Sequence, residues 1–512
     1  MTEALPSLAQ HYHQRTKYFP EAMPEGTLNW AEQPQVYKTY PLGSRFELQG
    51  YLGAMDRTTD QWWQRLSQFL FHSYGLTAKF TSAAGETVYL RSAPSAGALY
   101  PAEVYLISRG TSQLPAGLYN YQVKTHSLVR FWDDHPWQRL QEACFWHPAL
   151  EHTHLAVVTS VIFQRSAWRY QARAYRRVCL DTGHLLGNIE LAASLCDYRP
   201  HLIGGFGDDA VNDLLYFNGE EEGAIAILAL ADLLQAEQNL SRGCTALASE
   251  PQLLDGLDGL PSGDEDLLAA IHQSSKIPPE ADKSLEQAQL AQSSPLPGAQ
   301  SASQYAFPFG NQASTAVAPI NWGDGLEYLT KAMLHRRSTR RYRGAAISLD
   351  PLRQLLDFAY HPEHYVGQGF DGQPDYFDLS LIQTFIVVLG VNNLDTGCYY
   401  YDPATNTLRQ VRFKHFRREL HHLCLGQNLG RDASVAIIHT ASLKLAIGRH
   451  CDRAYRYLHM DAGHLGQRIN LAAIHLGLGV SGIAGFFDDQ VNDVLGIPED
   501  EAVLYITTIG VP

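Results

Sequence analysis

The chain is short of cysteine, short of positive charge and without a long apolar run, and each shortage removes a class of explanation. Seven cysteines in 512 residues (Cys144, Cys179, Cys196, Cys244, Cys398, Cys424 and Cys451) form no C-x-x-C pair and show no zinc-like spacing. Neither a disulfide framework nor a thiolate metal site is expected, and no metal is assigned. Lys and Arg total 39 against 53 Asp and Glu, a formal net charge of -14. That balance speaks against nucleic acid or an anionic membrane as the main partner, since both call for a basic face. No apolar run nears the roughly 20 residues that span a bilayer. The opening Met-Thr-Glu-Ala-Leu-Pro-Ser-Leu lacks the cationic stretch and apolar core of a secretion signal. The expectation is a cytoplasmic protein with mostly buried thiols. At 45% hydrophobic and 18% charged residues, the chain is an ordinary globular sequence, and its length suggests several domains of roughly 150 residues.

What it does contain is an internal repeat. Arg173-Ala-Tyr-Arg176 and Asp181-x-Gly183-His184-Leu185 recur as Arg453-Ala-Tyr-Arg456 and Asp461-x-Gly463-His464-Leu465, an offset of 280 from Arg173 to Arg453. The same offset carries Gly117-x-Tyr119-x-Tyr121 onto Gly397-x-Tyr399-x-Tyr401. It also carries Gly205-Phe206-x-Asp208-Asp209-x-Val211-Asn212-Asp213 onto Gly485-Phe486-x-Asp488-Asp489-x-Val491-Asn492-Asp493. About a hundred residues align without a gap, which chance does not produce. The expected division is a first copy over residues 1–234, a linker over 235–322 rich in Ser, Gln, Pro and acid (as in Gln292 to Gly298), and a second copy over 323–512.

Each copy reads as mixed helix and strand. Val104–Ile107, Ala156–Val158, Phe385–Val388 and Val435–Ile438 suit buried strands. Apolar or small residues at 175, 178, 182, 185, 189 and 192, repeated at 455, 458, 462, 465, 469 and 472, mark one stripe of a long helix. Glycine at 183 and 463 costs about 1 kcal/mol inside a helix but lets another backbone come close. The seam predicts that the two copies pack on each other as a dimer fused into one chain; a core helix in each of two separate domains is the alternative. His184 and His464 are expected to pair structurally at that interface.

The copies also diverge. His335-Arg336-Arg337-Ser338-Thr339-Arg340-Arg341 is a cationic cluster with hydroxyls, able to grip a phosphate. His13-Gln14-Arg15-Thr16-Lys17-Tyr18 reads as its weaker counterpart. The first copy alone has the small-residue loop Pro94-Ser95-Ala96-Gly97, which lets backbone donors approach a flat ring or an anion. At the same offset the second copy has the bulky and acidic Pro374-Asp375-Tyr376-Phe377-Asp378. The second copy alone has Gly477-Leu-Gly479-Val-Ser-Gly482-Ile483-Ala484-Gly485, where the first has Asp197-Tyr-Arg199-Pro200-His201. Each element by itself is more often a solvated face or a plain turn.

Together they resemble the FMN-dependent nitroreductase superfamily. The Pro-Ser loop, Arg-Ala-Tyr-Arg and Asp-x-Gly-His are similar to its SagB/ThcOx-type dehydrogenases, several of which oxidise peptide azolines. The resemblance implies an α+β fold: two nitroreductase-like α/β/α domains fused in tandem as an intrachain pseudo-dimer, with FMN between the copies. It implies phosphate and ribityl contacts from Arg336, Arg337, Ser338 and Arg340 and an isoalloxazine edge along Gly482, Ile483, Ala484 and Gly485. It further implies closure by Pro94, Ser95, Ala96 and Gly97, and an amide contact from Gln427, whose counterpart is His147. All retained elements fall in one composite site, so one FMN per chain is expected. In azoline-oxidising relatives a Lys-Tyr pair precedes Arg-Ala-Tyr-Arg; here Arg169-Tyr170 stands there, and His450-Cys451 in the second copy. Arginine is a poor base, which counts against a simple azoline dehydrogenase; Tyr170 remains a proton or hydrogen-bond donor. The expected activity is a two-electron oxidation or reduction of a small molecule or peptide, with an NAD(P)H-dependent nitroaromatic or quinone reductase and a flavin-binding scaffold without turnover as alternatives.

Overall fold

The computed structural model describes residues 7–23, 28–53, 60–81, 85, 87–235, 238, 246–250, 263–278, 305, 307–308 and 310–512. Cys244 and the Gln292 to Gly298 stretch lie outside the described residues. Each copy builds a seven-stranded antiparallel sheet. In the first the order across the sheet is Ser44–Glu47, Ser127–Trp132, Gly117–Gln122, Ala102–Ser108, Leu155–Ile162, Glu222–Asp232 and Tyr198–Ile203. In the second it is Gln312–Ser314, Thr407–Arg412, Gly397–Asp402, Gln383–Val388, Val435–Ser442, Glu501–Gly510 and Gly479–Ile483. The topologies are identical, and all four apolar segments read as strands lie on central ones. Ala102–Ser108, Glu222–Asp232, Gln383–Val388 and Glu501–Gly510 are buried along their whole length, which explains why their sequences run apolar on both faces.

The predicted seam is the centre of the molecule. Helices Ala174–Ser194 and Ala454–His475 are buried almost throughout and cross at the paired glycines. A methyl at Gly183 would run into the Met460 carbonyl oxygen, and one at Gly463 into the Leu180 carbonyl oxygen. This near-contact of backbones is what glycine's missing side chain permits. The most specific repeated motifs turn out to lock the copies together. Asp488 of the second copy receives Arg173 Nη1 at 2.9 Å and Arg176 Nη1 at 2.6 Å. Asp208 of the first receives Arg453 at 2.6 Å and Arg456 at 2.7 Å. Burial alone would raise these carboxyls, but the paired guanidinium groups outweigh it and hold both below the usual range.

One expected correspondence is corrected. His13-Gln14-Arg15-Thr16-Lys17-Tyr18, at the end of helix Leu8–Arg15, does not match the Arg336 cluster. It matches His272-Gln273-Ser274-Ser275-Lys276-Ile277, at the end of helix Asp264–Ser274. Lys17 pairs with Asp489 at 2.6 Å as Lys276 pairs with Asp209 at 2.7 Å. Arg176 Nε donates to Thr16 Oγ1 at 3.0 Å as Arg456 Nε donates to Ser275 Oγ at 2.6 Å. The repeat unit therefore already begins inside the span read as a linker, at an offset of 259 (13 to 272) rather than 280. The counterpart of Arg336-Arg337-Ser338 is Ser73-Tyr74-Gly75, which closes helix Gln61–Tyr74 as His335 closes Glu327–His335. His72 and His335 each turn Nδ1 to the carbonyl four residues back.

Candidate functional site

The candidate cleft lies where the first copy's Pro-Ser loop and the end of its helix Phe163–Tyr170, linked through Tyr170 and Arg177, meet Gly485 just beyond the second copy's Gly479–Ile483 strand. The loop is held from below by Asp181: Ser95 Oγ donates to Oδ2 at 2.6 Å and the Ala96 amide to Oδ1 at 3.1 Å. Ser95 Oγ also accepts the Tyr100 amide at 2.9 Å. Burial pushes Asp181 up to about 7 against the pull of those donors and of Arg177. Pro94 to Ala96 are half-buried and Gly97, at φ 64, is exposed. A Cβ on Gly97 would sit 2.9 Å from the Tyr170 hydroxyl and 3.5 Å from Arg169 Cδ. The expected pair therefore does stand beside the expected loop. Arg169 is exposed and Tyr170 half-buried. Burial raises the Tyr170 pKa, partly offset by Arg177, whose guanidinium carbon lies 3.8 Å from the Tyr170 ring centroid.

On the opposite side Gly482 is exposed on one face, and a methyl on its other face would collide with the Tyr505 hydroxyl. That hydroxyl meets His184 Nε2 at 2.9 Å, and His184 Nδ1 meets Gln467 Oε1 at 3.0 Å. Burial lowers His184 to about 3, so its ring is neutral. Ile483 is buried, with its side chain in the second sheet's core. The Ala484 carbonyl accepts Arg173 Nε at 3.4 Å. A Cβ on Gly485 would lie 3.0 Å from Leu425 Cδ1, 3.6 Å from Arg177 Nη2 and 3.9 Å from Tyr18 Cε2. Gln427 stands exposed two residues beyond Leu425.

The Arg cluster joins the copies. Arg336 Nε donates to the Ser92 carbonyl at 2.6 Å and Nη2 to the Arg91 carbonyl at 3.2 Å. Arg337 reaches Thr77 through Oγ1 at 3.1 Å and the carbonyl at 2.8 Å. Arg336 thus already serves the base of the Pro-Ser loop and Arg337 the strand Leu76–Thr81, leaving half-buried Ser338 and exposed Arg340 as the freer donors. Thr339 is clipped to Val480 by its amide at 2.8 Å and its hydroxyl at 3.0 Å. Among the described residues no carboxylate lies within ion-pair distance of Arg336. Burial, with Arg337 and Arg340 nearby, lowers it to about 10. Arg177 Nη1 is buried with no hydrogen-bond partner. Buried guanidinium groups with no carboxylate at ion-pair distance among the described residues, beside glycines, fit an anionic, planar group such as a flavin mononucleotide.

The pseudo-equivalent position is filled. Gly205, the counterpart of Gly485, has Leu247 against it, with a Cβ only 2.5 Å from the Leu247 Cβ, and Leu247 clusters with Phe145 and Ile277. Phe377 stacks on Tyr457 at 4.4 Å and 15°, and Tyr376 on His464 at 4.3 Å and 26°. Asp375, where the first copy has Ser95, accepts the Leu202 amide at 3.0 Å and faces Arg199 at 3.6 Å. Asp378 accepts Arg449 at 2.6 Å and His450 at 2.9 Å. The blocking residues are those that divergence between the copies singled out; Leu247 was missed, because nothing in a Ser- and acid-rich span marks one leucine as a plug. Arg177 was also missed, although its counterpart Tyr457 breaks the repeat inside its best-matched stretch. A large cavity of about 1130 Å³ lies on another face of the Phe163–Tyr170 helix, lined by Phe163, Trp168, Leu268 and His272. Its lining holds Lys276 and Gly219 but also Glu32, Glu220 and Glu221, a balance that disfavours an anionic group.

The geometry is that of a fused pseudo-dimer in which glycines line one interfacial position while Leu247 and stacked aromatic rings fill its counterpart. The nitroreductase family matches residues 76–231 and 333–511, one stretch in each copy, and the chain belongs to that family. The crystal structure of a candidate nitroreductase from Anabaena variabilis is 57% identical, with a TM-score of 0.92, covering 99% of this chain and 100% of that one. A candidate nitroreductase of Methanocaldococcus jannaschii is 28% identical over 171 residues, 33% of this chain and 85% of its own. The microcin B17-processing protein McbC of Escherichia coli is 29% identical over 136 residues, 24% of this chain and 46% of its own length. The trifolitoxin-processing protein TfxF of Rhizobium leguminosarum is 29% identical over 170 residues, 32% of this chain and 55% of its own length. The chain thus spans about half the length of these two peptide-processing relatives, whose presence accords with the SagB/ThcOx-type resemblance.

Proposed function

We propose that this nitroreductase-family protein is an FMN-dependent oxidoreductase that uses one flavin per chain, held in the open cleft, for two-electron oxidation or reduction of a small molecule or peptide. The observation that carries the reading is the contrast between two pseudo-equivalent positions, one lined by glycine and the unpartnered Arg177 Nη1 and the other packed with Leu247, Phe377 and Tyr376. The flavin, when bound, supplies the electron-pair chemistry. Ser338 and Arg340 would hold its phosphate, with Arg336 and Arg337 adding charge while Arg336 fastens the base of the Pro-Ser loop. Gly482, Gly485 and the backbone of Ile483 and Ala484 would lie along its edge, Pro94 to Gly97 would close over it, and Gln427 is placed at the rim. Tyr170, kept protonated by burial, donates a proton or hydrogen bond to the substrate. Arg169, always charged, orients an anionic or carbonyl-bearing substrate rather than removing a proton.

The peptide-processing relatives favour a peptide substrate. The test is anaerobic spectroscopy of the flavin-loaded protein. Bleaching by azoline-containing peptides supports the dehydrogenase direction; bleaching by NADPH followed by reoxidation with a quinone supports a reductase. Failure of both sinks the enzymatic reading and leaves a flavin-binding scaffold. Arg340→Ala should weaken flavin retention about tenfold; unchanged retention would remove Arg340 from the phosphate site.

A further inference from the structure

Well away in sequence from the residues of the cleft, the second copy presents a compact set of ligating side chains. Helix Leu349–Tyr360 stops at His361, and Pro362 opens a 3-10 stretch, Pro362–Gln368, that carries Glu363 and His364. Proline at that position presets the backbone of the new turn, and the turn brings residues 361, 363 and 364 to one side. His361 Nδ1 lies 3.1 Å from Glu363 Oε1, and His364 Nε2 lies 4.0 Å from the same oxygen. The two imidazoles stack with centroids 5.1 Å apart and planes 15° apart. All three ligand atoms fall within 4.8 Å of one another. Donors around a tetrahedral zinc with bonds of about 2.0 to 2.1 Å stand about 3.3 Å apart. Closing this set on an ion draws in Glu363 and His364, whose side chains are 57% and 42% exposed.

The far nitrogens make the case stronger than proximity does. His364 Nδ1 lies 2.8 Å from Asp357 Oδ1, and the other oxygen of Asp357 accepts the Tyr365 hydroxyl at 2.7 Å. His361 Nε2 lies 3.4 Å from the Tyr401 hydroxyl. Each imidazole is thus held from behind by an oxygen while its near nitrogen faces Glu363. A carboxylate behind a ligating histidine fixes its tautomer and orientation in metal sites.

We propose that His361, Glu363 and His364 bind a divalent transition-metal ion of the zinc class, leaving a fourth position open to solvent. Two imidazoles and a carboxylate favour zinc, cobalt or nickel over the all-oxygen preference of calcium and magnesium. Without metal, one proton on His361 Nδ1 satisfies Glu363; with metal, that proton moves to Nε2, where Tyr401 accepts it. No oxidant or reductant is involved.

The test uses full-length protein, free of affinity tag and stripped with EDTA, titrated with zinc chloride by calorimetry and analysed for bound zinc after dialysis. Wild type should retain one zinc that both Glu363→Gln and His364→Ala lose, each with at least tenfold weaker binding. Asp357→Asn, behind His364, should weaken it roughly 10- to 100-fold. Circular dichroism of the two exposed-site variants should match wild type, so the loss is not unfolding. Equal zinc affinity and stoichiometry in wild type and both variants would overturn the proposal, as would failure of wild type to retain zinc at equimolar concentration.

Discussion

Tyr170 sits between two cations, with Arg177 across its ring and Arg169 beside it, yet burial keeps its hydroxyl protonated. A phenol in that state beside Gly97 is a donor, and donors positioned for proton transfer contribute roughly a hundredfold or more to rate. Tyr170→Phe should lower turnover by that order while flavin content stays at the wild-type level; equal turnover would make Tyr170 a packing residue. Asp461 offers a cleaner titration, since it lies under the closed position. Burial raises it to about 7 while the Phe377 and Asp378 amides hold it at 3.0 and 2.8 Å. Its folded pKa stands above the unfolded value near 3.8, so the native state binds the extra proton. The favourable contribution is complete below pH 4 and is lost as pH rises to 7. Asp461→Asn carries whatever fixed cost the lost acceptor brings. Its melting temperature relative to wild type should nevertheless rise between pH 5 and pH 8; a difference independent of pH would contradict the assignment. At this scale much was readable from sequence: Pro94 to Gly97, Arg336 to Arg340 and Gly482 to Gly485 stood out because each lacks its mate in the other copy. Tyr505 and His184 did not disclose their contact, because a strand of one copy and a helix of the other meet only in three dimensions.

Two helices crossing at glycine carry the element-scale argument. At Gly183 even a methyl meets backbone, the Met460 carbonyl oxygen, which a side-chain rotation cannot relieve. Gly183→Ala should therefore destabilise by at least about 2 kcal/mol, the range of overpacked cores, although alanine is the better helix former. Urea unfolding measures it, and a neutral or stabilising result would mean the helices separate freely. The ion-pair knots make a second case. Asp488→Asn leaves Arg173 and Arg176 buried against a neutral partner and should cost about 3 to 5 kcal/mol; a loss below 1 kcal/mol would show that water reaches the knot. The seam helices were predictable from their period and the central strands from their apolar runs. The pairing of helix Leu8–Arg15 with Asp264–Ser274 was not, since an ungapped offset of 280 fails upstream of the matched core and places the wrong residues opposite each other.

At the scale of the whole molecule, a dimer's two equivalent interfaces have become unlike ones within a single chain. A separate homodimer cannot do this, because a substitution that closes one site closes both. Fusion let Leu247 and the Tyr376-Phe377 pair fill one position while glycines and cations were kept at the other. The net charge is acidic, and among the described residues no helix is long and apolar enough to cross a membrane. The repeat and the asymmetry were both legible in the sequence; the involvement of the intervening span in docking and in closure was not, because its composition resembles a tether. The most direct test of the central claim is flavin stoichiometry: the protein is saturated with FMN, freed of excess by gel filtration, and its released flavin is quantified against chain concentration. The account predicts one FMN per chain, and the same value for Leu247→Ala alone, since Phe377, Tyr376 and Asp375 still occupy the closed position. Two per chain, or none after reconstitution, would contradict it.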